Sequence, residues 1–310
     1  MPDDERVAWA TTITRFQNQS TGWPTLQAFE GMHCANPPYA NHTWHAAGAM
    51  LETLALLSSS GPPRFFPPVP FHSVNAMLEA GPTEWKAFLE RWLSDYADVW
   101  MGSQAIQSLV AIVKLSQPAP NPKADPFYAW LFSSLNTTSM PTTGMWNGTP
   151  LQNDMHLLGG AFHIFHVYQC FGNASTWPHA KASVDTNLAS QDNGSGVWGG
   201  KHRWADRGSW TTISSCIDLD GVYSLSRGSL GAGRYRWAEV EAACARYLRT
   251  AEYILNNSTM ILDAKLYGAD THLLHGPMYA VAECQQHFPA MVKTRRPWKR
   301  WTNRASCIYA

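Results

Sequence analysis

The chain has 310 residues, with 23 basic and 23 acidic side chains and no formal net charge. A zero balance without a basic block argues against a nucleic-acid binder held by phosphate neutralisation, and a 45% hydrophobic fraction excludes a disordered chain. No stretch approaches the ~18–20 uninterrupted apolar residues of a membrane span, and 15 tryptophans demand an architecture that houses many large rings.

In chain order, apolar residues recur at helical spacing. Amphipathic stretches cover 7–16, 85–96, 127–135 and 240–255. Stretches with small and apolar residues on all sides cover 45–57, 105–115, 157–171, 219–225 and 273–288. A helix apolar around its circumference is buried, and one with a polar stripe faces water on that side. Between the two kinds lies a short tryptophan motif: Thr21-Gly22-Trp23, Asp98-Val99-Trp100-Met101-Gly102, Thr143-Gly144-Met145-Trp146 and Ser195-Gly196-Val197-Trp198, with a weaker copy at Leu266-Tyr267-Gly268. The Trp-to-Trp steps are 77, 46 and 52 residues, so a degenerate unit fits near the Pro-rich stretch 61–70. Each glycine suits a turn, and each Trp suits the seam between neighbouring hairpins. The expectation is an all-α fold: one α/α toroid domain over 1–310, of about six hairpins. A basic C-terminal tail, 293–310, packs on it, and its Arg/Trp run suits partner docking or a structural cover better than nucleic acid.

Six dispersed cysteines form no CxxC pair, so buried free thiols are expected in preference to a zinc ribbon. Eight N-x-S/T sequons begin at Asn18, Asn41, Asn136, Asn147, Asn173, Asn193, Asn256 and Asn257. Chance gives roughly two for 14 asparagines, so the excess points to the secretory pathway, although the first residues lack a signal-peptide pattern.

Phe16-Gln17 before Thr21-Gly22-Trp23, and Gln191 before Gly196-Val197-Trp198, resemble the Gln-Trp motif of terpenoid cyclases, whose fold protein prenyltransferase β subunits share. The resemblance implies a toroid with its site at one mouth, where inner helices begin. Polar residues gather there: His45; Asn153, Asp154 and His156; Asp218 and Asp220; His272 and His275. N-capping accounts for one polar residue per helix and leaves the histidines unexplained.

The segment Cys216-Ile217-Asp218-Leu219-Asp220-Gly221 resembles the Asp-x-Asp-Asp motif of class II cyclases, with Gly221 in the fourth position. The resemblance makes Asp220 the proton donor, with Asp218 its neighbour and His272 or His275 an orienting partner. Two carboxylates this close raise one pKa by repulsion. Prenyltransferase β subunits hold zinc with an Asp and a Cys two apart plus a distant His. That likeness allows a Zn or Mg site on Asp218, Asp220 and His275, although no cofactor is the primary expectation. A third cluster, Asn153, Asp154, His156, His163 and His166, suits with Tyr223 a sugar site of glycoside hydrolase or lyase type, and Trp210 is among the rings expected to line the cavity. The leading expectation is therefore an acid–base enzyme acting on an apolar, isoprenoid-type small molecule. A carbohydrate-active toroid and a non-catalytic interaction protein are the alternatives.

Overall fold

A computed structural model describes residues 1–25, 40–58, 64–95, 99–119, 121–146, 154–171, 177–198, 217–256 and 272–292. The described residues form eleven helices and no strand. They are α1 (Asp3–Thr14), α2 (Ala40–Leu57), α3 (His72–Ala80), α4 (Pro82–Asp95), α5 (Val99–Leu115), α6 (Ala124–Thr138), α7 (Asp154–Phe171), α8 (Ala180–Ser190), α9 (Ile217–Gly231), α10 (Trp237–Leu255) and α11 (His272–His287). No helix among the described residues is long and apolar enough to cross a membrane.

Two classes of helix alternate, for the reason the sequence suggests. In α9 every residue from Ile217 to Ser229 is buried, whereas α10 buries one stripe of Val240, Ala243, Cys244, Tyr247, Ala251 and Ile254. The interior helices pack in succession: α2 on α5, α5 on α7, α7 on α9, and α9 on α11. The outer helices flank this row, with α1 on α2 and with α8 and α10 on α9. The sequence pattern did not reveal α3 and α8. The first has only nine residues, and the second buries Ser183, Val184, Asn187 and Ser190, a face too polar to register as apolar periodicity. One expected turn is corrected. Val99–Leu115 is continuous helix, so Gly102 lies inside α5, and Ala97 stands where other copies have glutamine. The copy at 266–268 and the tail 293–310 lie outside the described residues.

Three copies of the tryptophan motif form one and the same turn. Asn18 N–H donates to Trp23 O (2.7 Å) and Gly22 N–H to Asn18 O (2.9 Å). Met140 with Met145 and Gly144, and Asp192 with Val197 and Gly196, repeat both bonds. The glycines have φ of +81°, +65° and +76°. An added Cβ would lie 2.2 Å from Pro70 O, 2.4 Å from Ser183 N or 2.6 Å from the Arg246 carbonyl carbon. Conformation and space both demand glycine, because each turn is pressed against backbone well beyond it in sequence.

Glutamine fixes that contact. The Gln17 amide donates to Gly22 O (2.7 Å) and Val69 O (2.6 Å), and the Gln191 amide to Gly196 O (2.7 Å) and Ala243 O (2.9 Å). The central turn has Ser139 at this place, and there the Trp177 indole N–H donates to Gly144 O (3.4 Å). The motif tryptophans are packing residues. Trp146 and Trp198 are buried, and each donates its indole N–H to a carbonyl eleven residues earlier, Leu135 O and Asn187 O.

Candidate functional site

The turn after α8 positions the start of α9. The Asp218 carboxylate accepts the backbone N–H of Trp198 at 2.8 Å, tying the first turn of α9 to the tryptophan turn. The Trp198 ring fills the space beside Gly221, where a Cβ would fall 2.5 Å from ring carbon Cδ2. Any side chain at 221 would collide with the buried indole, so no acidic residue fits there.

The same contact fixes the rotation of α9. Gly221 and Gly228 are seven residues apart and share a face, with Trp198 against the first and Val184 of α8 against the second at 3.5 Å. At about 100° per residue, Asp220, Tyr223 and Arg227 fall within about 60° of one another, on a side of α9 turned roughly 90–150° from the glycine face. All three are buried.

Asp218 and Asp220 thus have different jobs. Asp218 is a scaffold acceptor. Asp220 is buried, and its Oδ2 has no hydrogen-bond partner among the described residues. Burial, and secondarily the charge of Asp218, push its carboxyl well above the usual carboxylate range. Burial therefore favours the protonated form of Asp220 more than that of an ordinary carboxyl.

Farther along that face, the Arg227 guanidinium lies over the Tyr223 ring, 4.5 Å from its centroid. Arg227 pairs with Glu283 of α11 through two hydrogen bonds of 2.6 and 3.0 Å, and both partners are buried. Ser226 Oγ and His287 Nε2 also contact Glu283. Burial pushes the Glu283 carboxyl up, but the charge of Arg227 and the hydrogen bonds from His287 and Arg227 outweigh it and bring it down to about 2. Toward α7, the Tyr223 hydroxyl donates to Gln169 Oε1 at 2.9 Å, and Phe162 meets the Tyr223 ring edge-on.

The row continues across α7 to α5. His163 Nδ1 lies 3.1 Å from Ser103 Oγ, and His166 Nδ1 lies 2.7 Å from Gln107 Nε2. His166 also stacks on Phe162. A band of hydrogen-bonded polar groups therefore crosses four interior helices inside an otherwise apolar core. On α2, Glu52 is a second buried acid, pushed up by burial, and its Oε2 has no partner among the described residues.

The structure thus gathers Asp218, Asp220, Tyr223 and His163 from the sequence candidates onto adjoining interior helices. Asn153 and Trp210 lie outside the described residues. The backbones of α2, α7 and α11 carry His45, Asp154, His156, His272 and His275, whose side chains lie outside the described residues. No group of three potential metal-ligating side chains gathers among the described residues. Sequence reasoning missed Arg227, Glu283, Gln107 and Glu52. For Glu52 and Gln107 the signal was present, since each is a polar side chain in a largely small and apolar run, where burial requires a partner or a function. Comparison with protein-family models, with curated proteins and with solved structures finds no match to this chain.

Proposed function

We propose that this chain is an acid–base enzyme of the α/α toroid class in which Asp220 gives a proton to a neutral, largely apolar ligand. The observation that carries this reading is the buried Asp220 carboxyl, which has an oxygen without a partner among the described residues and whose pKa is raised by burial, beside an acid that accepts a scaffold N–H. Its chemistry narrows the ligand. A carboxyl made neutral by burial is a weak acid, suited to protonating an oxygen as its bond to carbon breaks and less suited to protonating an alkene carbon outright. An epoxide or ether oxygen on an isoprenoid-type skeleton fits. The cation on the same face, Arg227, is paired with Glu283, which favours an uncharged ligand over a diphosphate.

The row of Ser103, His163, Gln107 and His166 favours one second reading, a sugar ligand whose glycosidic oxygen receives the same proton. Purified protein incubated with polyprenyl epoxides, polyprenyl diphosphates and neutral oligosaccharides separates the readings. Turnover of an epoxide that falls by about 10²–10⁴ in Asp220→Asn supports the first. Oligosaccharide cleavage with the same dependence selects the second. Activity that survives Asp220→Asn removes Asp220 as the acid.

A further inference from the structure

We propose that Asn18, Asn136, Asn193 and Asn256 carry N-linked oligosaccharides. Three independent observations converge on these four side chains.

The first is exposure. Seven asparagine side chains are described: Asn18, Asn75, Asn121, Asn136, Asn187, Asn193 and Asn256. The four that begin N-x-S/T sequons are all exposed, whereas Asn75 and Asn121 are half-buried and Asn187 is buried. The sequon excess is thus matched by placement: acceptor sequence and open surface coincide at every described position.

The second is the use made of each amide. Asn18 Oδ1 accepts from Ser20 N–H and Oγ–H and from Thr21 N–H. Asn136 Oδ1 accepts the Tyr168 hydroxyl. Each bond engages the amide oxygen, which a glycan leaves intact as an acceptor. Among the described residues none of the four Nδ2 atoms donates a hydrogen bond within the fold, so substitution there breaks nothing.

The third is topology. Asn18 and Asn193 lie in the tryptophan turns that follow the C-terminal ends of α1 and α8, and Asn256 directly follows α10. Asn136, whose amide oxygen meets Tyr168 of α7, sits in the last turn of α6 with its side chain exposed. Glycans there leave the Asp220 face untouched, so the inference stands apart from the catalytic reading.

In the transfer, Nδ2 bonds to the anomeric carbon of an oligosaccharide carried on a lipid diphosphate. The carbon–oxygen bond to the diphosphate breaks, the lipid diphosphate leaves, and the amide gives up one proton.

The test is peptide mapping of the full chain isolated from the cells that make it. A glycan-releasing amidase in water enriched in the heavy oxygen isotope converts each modified asparagine to aspartate marked in its new carboxyl oxygen. Marked aspartate at all four positions, with Asn75, Asn121 and Asn187 unmarked, is the expected result. Removing the sequons with Ser20→Ala, Thr138→Ala, Asn193→Gln and Ser258→Ala should then shift the mobility of the chain by four glycans. Unmarked asparagine at the four positions overturns the proposal, as does a mobility unchanged by the four substitutions.

Discussion

The tryptophan turn after α8 and the inward face of α9 are built from similar residues and treat them differently. In the turn, the Gln191 amide fills two carbonyls, Asp192 Oδ1 accepts from Gly194 and Ser195 N–H, and Arg246 holds Gln191 Oε1. On α9, Asp220 keeps an oxygen without a partner among the described residues although it is buried. Leaving a buried acceptor unmade costs about 1–3 kcal/mol, and a fold tolerates that where something else gains. Paired polar groups build the turn, and the acid left without a partner among the described residues is the proposed site. Asp218 and Asp220, two residues apart, fall on opposite sides of that line.

The largest expected effect tests whether the ion pair on α9 belongs to the frame. Glu283→Ala should lower stability by about 3–5 kcal/mol in urea unfolding, because it strands a buried guanidinium. The double variant Arg227→Met with Glu283→Leu should recover most of that loss. The acid limb reports the same pair. The Glu283 pKa is depressed to about 2, so its contribution is complete above the unfolded carboxylate range and is lost as pH falls from about 4.3 towards 2. Stability measured across that window should fall in the wild type and fall less in the double variant.

Next comes the packing that joins the two regions. Gly221→Ala drives a methyl into the buried Trp198 ring and should cost about 1–3 kcal/mol. Gln191→Ala strands the Gly196 and Ala243 carbonyls and should cost about 1–3 kcal/mol, with Gln17→Ala similar.

Asp218→Asn gives the smallest effect on stability, and the two aspartates together give the sharpest test. Asp218→Asn weakens the acceptor of Trp198 N–H and should destabilise by about 1 kcal/mol. Asp220→Asn should move the other way. A carboxyl whose folded pKa is raised adds stability at low pH and loses it as pH rises towards that raised value. An amide removes that dependence, so the variant should be more stable than wild type at neutral pH and closer to it below pH 4. Equal responses of the two variants would erase the distinction between frame and site.

Periodicity made much of this legible. Alternating half-polar and all-apolar stretches disclosed the outer and interior helices because burial imposes those patterns directly. Asp218 and Asp220 were visible as a pair, but their division of labour was not, since it depends on the rotation of α9 set by Trp198 and Gly221, twenty and more residues apart. Arg227 and Glu283 escaped notice because they are 56 residues apart and each alone reads as an ordinary charge. α8 escaped because Ser183 and Asn187 line its buried face.

The filled glycine carbonyls have a mechanical consequence. Gly22 and Gly196 are bound by their own turn's glutamine, which also grips Val69 or Ala243 some fifty residues on, and Gly144 is bound by Trp177 from beyond α7. No turn can open without loosening another segment, so strain at one joint is shared along the chain. Hairpins coupled in this way should exchange their turn amides together and melt as one cooperative body, where uncoupled neighbours would peel apart from an end.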